Sequence, residues 1–204
     1  MDYRGEYMLR HTSKHEFLKS NIAFLTQFFR NPKGMGSIIP SSPLLGQAMA
    51  SFVPIQRAPL ILELGPGTGA ITKALINSGV SREHLMCLEM SPKMITHLKR
   101  RFPRVNVIEG NACQLQTILD DNYGKVDAIV SSLPLKSIPG PVVEEIIEQI
   151  HDSLSEEGVI IQFTYDLRPS RSAYLKKFTR VNSKLVVGNV PPARVDVFKK
   201  KQTA

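Results

Sequence analysis

Residues 62–72 read LELGPGTGAIT, an apolar run followed by glycines at 65, 67 and 69 and then by helix-like sequence. Glycine alone enters left-handed backbone without a steric penalty. Three of them at alternate positions therefore specify a sharp turn from a strand end into a helix. The turn carries little side chain, so a ligand can approach its backbone closely. A chain with this turn must place the strand where its carboxyl end meets a ligand.

The surrounding sequence repeats the same alternation. Strand patterns fall at 59–64, 84–89, 105–109, 126–131 and 158–165, and helix patterns at 69–78, 92–101, 114–120 and 142–154. Such alternation predicts an α/β fold with a mostly parallel sheet and helices on both faces. Beyond Tyr165 the pattern changes. SAYLKKFTR reads as a short helix, and VNSKLVVGNV and ARVDVFKK read as two strands around Pro191 and Pro192, an antiparallel pair at the sheet edge. Upstream, Phe17, Leu18, Ile22, Phe24, Leu25, Phe28 and Phe29 recur at helical spacing. They cover an arc of about 160° at ~100° per residue. Pro32 and Gly34 end that helix, and Ser42 with Pro43 opens a second, short one. The organisation expected is a helical extension over 1–54 and a ligand-binding domain over 55–204.

Composition narrows the classes. With 204 residues, 42% of them hydrophobic and 22% charged, the chain suits one globular domain. No apolar stretch reaches the ~18 residues of a membrane span, and no secretory signal pattern opens the sequence. Cys87 and Cys113 sit in or just after apolar runs and read as buried thiols, which suits a cytoplasmic setting. The five histidines, at 11, 15, 84, 97 and 151, show no metal-ligand spacing, so no metal is expected. The net charge of +8 is localised: residues 166–204 hold ten Lys/Arg and two Asp/Glu, and the rest of the chain balances. A basic segment of this kind seeks the phosphates of nucleic acid or of anionic lipid, or is simply a solvated face.

The candidate ligand groups stand at successive strand ends. Glu63 precedes the turn of Gly65, Pro66, Gly67, Thr68 and Gly69. Glu89 ends the second strand, with Met90 beside it, and is placed to accept from two ribose hydroxyls. Asn111 and Ala112 follow the third strand, where an Asn can meet the amino edge of an adenine. Ser131 ends the fourth. The turn departs from the dinucleotide fingerprint because its glycines run GxGxG. With LELGPGTGAIT, Glu89 and GNA together, residues 59–165 resemble the class I S-adenosylmethionine-dependent methyltransferases. Asn111 stands where their GDA motif has Asp. The resemblance implies a Rossmann-like fold with a seven-stranded sheet and S-adenosyl-L-methionine as cofactor.

The residues after the fourth strand set the acceptor. Methyltransferases acting on adenine commonly carry Asn-Leu-Pro-Tyr or a similar motif there, whose aromatic ring stacks on the base. This chain has Ser132-Leu133-Pro134-Leu135, which forgoes stacking worth ~1–3 kcal/mol per base. SSLPL, the later QFTY at 162–165 and FLTQFFRNPKGMGSIIPSSPLL upstream make the chain similar to bacterial phospholipid N-methyltransferases, relatives of the ribosomal RNA adenine dimethylases. That resemblance implies methylation of phosphatidylethanolamine toward phosphatidylcholine. It also implies a peripheral place on the cytoplasmic side of the inner membrane and no nucleic-acid partner. On this reading Ser132 and the Leu133 carbonyl orient the amine. The Tyr165 hydroxyl positions it, and its ring faces the growing cation; an edge-of-core tyrosine is the plainer alternative. Ser41 and Ser42 either cap a helix or help present its N–H groups to an anion. The Phe-rich helix and the basic segment would dock on anionic lipid; an ordinary core-packing helix is the alternative for the former. An RNA adenine N6-methyltransferase and a non-catalytic cofactor- or lipid-binding module are the alternatives. Oligomeric state is not legible.

Overall fold

The computed structural model describes residues 42–168 and 172–201. Seven strands form one sheet: β1 (Ile61–Leu64), β2 (Leu85–Glu89), β3 (Asn106–Glu109), β4 (Val126–Ser131), β5 (Leu154–Thr164), β6 (Phe178–Val186) and β7 (Ala193–Lys200). The helices are α1 (Pro43–Ala50), α2 (Ala70–Asn77), α3 (Pro92–Arg101), α4 (Leu115–Leu119) and α5 (Gly140–Ser153). The strand order is β3-β2-β1-β4-β5-β7-β6. β1 to β5 pair in parallel, and β7 is antiparallel to both of its neighbours. The expected mostly parallel α/β sheet with an antiparallel element is therefore present. β7 lies inside the sheet, however, so the edge strand β6 runs the same way as β1 to β5.

Local chemistry explains the elements. β1 and β2 are buried along their whole length, as parallel strands covered on both faces must be. α1 opens as expected: the Ser42 side chain accepts from the Leu45 N–H and Pro43 fills the first helical position. α5 buries Val142, Val143, Ile146, Ile147 and Ile150, a helical stripe. Two elements differ from expectation. SAYLKKFTR makes only one 3-10 turn, Ala173–Lys176, before β6 begins at Phe178. β5 starts four residues early, because Leu154 already pairs with Val126 before an irregularity carries the register to Ala128 and Val159. The polar run Ser155-Glu156-Glu157 hid that start. Gly158 permits it, since a Cβ there would lie 2.9 Å from the Val126 carbonyl oxygen.

α1 and α2 cover one face of the sheet. Leu45, Met49, Ile71 and Leu75 share a core with Ile61, Cys87, Val130, Ile161 and Val195. A Cβ on Gly46 would come within 2.9 Å of the Ala74 methyl, so these two helices meet closely. The core thus reaches across the expected boundary at 54/55, and residues from Ser42 onward belong to the folded domain. The expected helix over 15–30, its membrane-docking role and the reading of Ser41 lie outside the described residues. Toward the far end of the sheet, the rings of Tyr174, Phe178 and Phe198 pack together, with His151 of α5 edge-on to Phe178. Both cysteines are buried thiols, and burial pushes Cys87 up and Cys113 to about 12. Among the described residues no helix is long and apolar enough to cross a membrane, and no cluster of His, Cys, Asp or Glu could hold a metal.

Gly69 joins the ligand turn to this core. Its φ is +79°, and a Cβ would lie 2.4 Å from the Phe102 ring and 2.9 Å from Leu98. Gly69→Ala combines left-handed strain with overpacking, and should destabilise the fold by about 2–4 kcal/mol. A fall in the thermal unfolding midpoint checks this, and an unchanged midpoint would show that α3 yields freely.

Candidate active site

β1 lies between β2 and β4, so successive connections leave it in opposite directions. In open α/β sheets the ligand crevice forms at this reversal, outside the carboxyl ends of the strands. The sequence-predicted residues gather there. Hydrogen bonds lace the strand exits together: the Gly65 N–H to the Leu88 oxygen at 2.9 Å, the Gly110 N–H to the Glu89 oxygen at 3.0 Å, and the Ser132 N–H to the Leu64 oxygen at 2.9 Å.

The glycine turn has three left-handed residues, with φ of +68° at Gly65, +54° at Gly67 and +79° at Gly69. Each needs glycine for its own reason. A Cβ on Gly65 would press on the Leu133 side chain at 3.1 Å, whereas one on Gly67 would meet nothing within 4 Å. Gly67 therefore faces open space, and Gly69 faces packed core. Pro66 is buried and accepts the turn-closing bond from the Gly69 N–H at 2.8 Å. Thr68 is exposed, and its carbonyl accepts from Arg101 at 2.7 Å.

Glu89 is the fastener. Its Oε2 accepts from the Gly67 N–H at 3.0 Å. Its Oε1 accepts from the N–H groups of Met90 at 2.9 Å and Ser91 at 3.0 Å. A carboxylate offers about four lone-pair sites, so three bonds hold it and capacity for a hydroxyl remains.

Glu63 is fully buried beneath α2. Its Oε2 accepts from the Thr72 hydroxyl at 2.7 Å and from the Cys87 thiol at 3.5 Å, while Oε1 has no partner. Burial pushes its pKa from 4.5 up to about 7, against the opposing hydrogen bonds from Thr72 and Cys87. A cationic amino group delivered to Oε1 would satisfy that atom and favour ionisation.

Asn111 differs in chemistry from what was expected of it. Its Oδ1 is spent on the Cys113 N–H at 3.0 Å, and its buried Nδ2 has no partner. The free group is a donor, suited to a ring nitrogen of adenine rather than to its amino group. Ala112 is buried beside it.

On the acceptor side, the Ser131 hydroxyl accepts from the Leu133 N–H at 3.4 Å, and the buried Ser132 hydroxyl has no partner. The Leu133 carbonyl accepts from Gln162 Nε2 at 3.3 Å. Gln162 also donates to the Phe163 carbonyl at 2.8 Å, and its Oε1 accepts from the Tyr174 hydroxyl at 3.2 Å. Tyr174 is fully buried and is held protonated by that burial. This buried chain fixes the position of the SSLPL carbonyl. Gln162 was visible in the QFTY stretch, but Tyr174 carried no signal beyond its place in an apolar turn. Lys136, just after SSLPL, pairs with Asp166 just after β5, and Arg168 joins them at 3.2 Å. The hydrogen bond from Lys136, then those from Arg168, hold the Asp166 carboxyl well below the usual carboxylate range. Tyr165 stands at the exit of β5, 42% exposed, with its ring edge-on to Phe163 at 5.5 Å.

The comparisons agree with this geometry. A methyltransferase-domain family matches residues 61–158. An ornithine lipid N-methyltransferase of Singulisphaera acidiphila is 30% identical over 180 residues, 86% of this chain and 94% of that protein. A ribosomal RNA small subunit methyltransferase of Arabidopsis thaliana is 28% identical over 80% of this chain, which spans only 49% of that protein's length. Among solved structures, a Burkholderia thailandensis 1,6-didemethyltoxoflavin-N1-methyltransferase has the same fold, with a TM-score of 0.67 at 15% identity over 92% of this chain and 90% of that one. The fold and site are those of a nucleoside-cofactor methyltransferase. The chain belongs to the class I S-adenosylmethionine-dependent methyltransferases, and S-adenosylmethionine is its cofactor.

Glu63 gives the apo-protein a defined pH response. Its folded pKa, about 7, lies above the ordinary 4.5. Between those values the folded state holds a proton that the unfolded state has lost, so the contribution of Glu63 to stability is fully present below 4.5 and erodes as pH rises to 7. The full difference is about 3 kcal/mol. Glu63→Gln should flatten the decline in unfolding midpoint between pH 5 and 8. A wild-type midpoint that rises over that range would contradict a buried, protonated Glu63.

Proposed function

We propose that the protein transfers a methyl group from S-adenosylmethionine to the amine of a lipid headgroup, converting phosphatidylethanolamine toward phosphatidylcholine at a membrane surface. The observation carrying this reading is the match along 94% of a lipid amine methyltransferase, against about half of the RNA-modifying relative's length. The acceptor loop supports it. Leu133 lies against Gly65, and Leu135 occupies the place where an adenine enzyme puts a stacking ring. An aliphatic amine has no face to stack and needs no such ring.

When bound, S-adenosylmethionine supplies an electrophilic methyl on a sulfonium. The chain's own groups bind and orient. On this reading the glycine turn and Glu89 hold the sugar and methionine portions, Glu63 Oε1 takes the cofactor's ammonium, and the Asn111 amide donates to the adenine ring. The incoming amine must be neutral to attack. The Ser132 hydroxyl and the remaining lone pair of the Leu133 carbonyl accept its N–H groups, which aims the nitrogen lone pair at the methyl. Tyr165 is exposed enough to meet a headgroup from outside, and its ring favours the cation that accumulates as methyls are added.

The direct test is radiolabel transfer from S-adenosylmethionine to separate vesicles of phosphatidylethanolamine with phosphatidylglycerol and of ornithine lipid with phosphatidylglycerol, with total RNA in parallel. Label in phosphatidylethanolamine is the expected result. Label in ornithine lipid alone would move the acceptor to another lipid amine, and label in RNA alone would overturn the reading. In the same assay Tyr165→Phe should slow transfer about tenfold with cofactor affinity unchanged. An unaffected rate would remove the hydroxyl from the positioning of the amine.

A further inference from the structure

Seven large apolar side chains are left exposed among the described residues: Leu44, Tyr165, Leu167, Val181, Leu185, Val187 and Val190. Their placement is lopsided. β7 is antiparallel to β5 and to β6, so β6 ends at the same edge of the sheet as the ligand-binding exits of β1 and β4. The β6–β7 turn, residues 187–192, therefore projects from that edge. Thr164, Arg194 and Leu185 are at one level across the three strands. Tyr165 and Leu167 thus leave β5 beside the turn that carries Val187 and Val190, which are 71% and 79% exposed. Leu44, at the start of α1, reaches the same turn: a Cβ on Gly188 would lie 2.7 Å from its Cδ1. Six of the seven exposed apolar side chains belong to this one rim, and only Val181 stands away from it.

We infer that this rim is the surface through which the catalytic domain seats itself on an anionic lipid bilayer, with the β6–β7 turn inserted among the headgroups. The inference rests on the lipid-amine reading of the active site and names the partner of that site. Charge identifies the occupant. No Asp or Glu lies between Leu167 and Val195, and of the cations there Lys176, Lys177 and Arg194 are spent on Glu144, Glu148 and Asp196 away from the rim. Lys184 is exposed next to Leu185, and the long side chains of Lys136 and Arg168 are exposed beside Tyr165 and Leu167, around the single carboxylate of Asp166. Exposed aliphatic groups flanked by cations that outnumber the one acid match the apolar-then-anionic profile of a bilayer surface. Continuity with the acceptor loop gives the arrangement its use. Lys136 directly follows SSLPL, so a headgroup at the rim is at the mouth of the methyl-transfer site, and the lipid need not leave its leaflet to react.

The test uses the full chain and the double variant Val187→Asp/Val190→Asp, which alters only exposed side chains, with Val187→Leu/Val190→Leu as the apolar control. Vesicles contain equal parts phosphatidylethanolamine and phosphatidylglycerol. Binding is read by co-sedimentation, and methyl transfer is compared on those vesicles and on water-soluble dihexanoyl phosphatidylethanolamine. The aspartate pair should weaken vesicle binding and vesicle-dependent transfer at least about tenfold while the soluble lipid is methylated at the wild-type rate, and the leucine pair should keep both. Wild-type vesicle binding by the aspartate variant, with soluble lipid still methylated, would overturn the docking surface and leave the lipid reaction standing. Failure of either lipid to accept methyl, with vesicle binding still lost in the aspartate variant, would overturn the reaction and keep the docking surface. A dimeric wild type that becomes monomeric in the aspartate variant, with vesicle binding unchanged, would assign the rim to a second copy of the chain and overturn the proposal.

Discussion

The hydrogen bond from the Gly67 N–H to Glu89 ties the left-handed turn after β1 to the end of β2, and the site is assembled around that tie. On one side the turn touches the acceptor loop, where Gly65 leaves room for Leu133. On the other it starts α2 against Phe102 and Leu98, where Gly69 leaves room for packing. Between them Gly67 faces open space. One short segment thus fixes two distances at once, turn to acceptor loop and turn to core, and leaves an open side between them. Glu89 accepts three backbone N–H groups, so the fastener is the same carboxylate that we propose meets the ribose.

The acceptor side is held by different means. No glycine turn shapes SSLPL. Instead the buried chain Tyr174–Gln162–Leu133 anchors its carbonyl from below, and the Lys136–Asp166 pair bridges it to the exit of β5 from outside. Tyr174 comes from the turn before β6, the part of the chain that follows the alternating strand-helix core. The strands added after β5 therefore serve the site twice. They supply the buried tyrosine that steadies the acceptor carbonyl, and they carry the exposed turn at the rim.

Much of this was legible in the sequence. The alternation of apolar runs and helical stripes places the central strands within two residues, because a parallel strand buried on both faces has little choice of composition. The glycine turn, Glu89 and SSLPL announce the site because each demands a residue type that packing alone would not select. Features set by tertiary partners escaped. The early start of β5 hides behind Ser155-Glu156-Glu157. The insertion of β7 between β5 and β6 depends on a choice of neighbour that no local pattern encodes. The donor character of Asn111 follows from its cap on Cys113, and the role of Tyr174 from a glutamine twelve residues away in sequence. Glu63 stands out in the sequence as an acid near the turn, but its raised pKa follows from complete burial under α2, which only the packed structure supplies.

Every role proposed for this site requires the cofactor to lie against the backbone at the open side of Gly67. Isothermal titration of Gly67→Val with S-adenosylhomocysteine tests that requirement directly. The predicted result is a loss of affinity of at least about a hundredfold, with cooperative unfolding retained at a lowered midpoint, because a Cβ there meets no protein atom within 4 Å and fills the space the ligand needs, while the left-handed φ strains the turn. Wild-type affinity in that variant would place the cofactor elsewhere and contradict the reading of the turn.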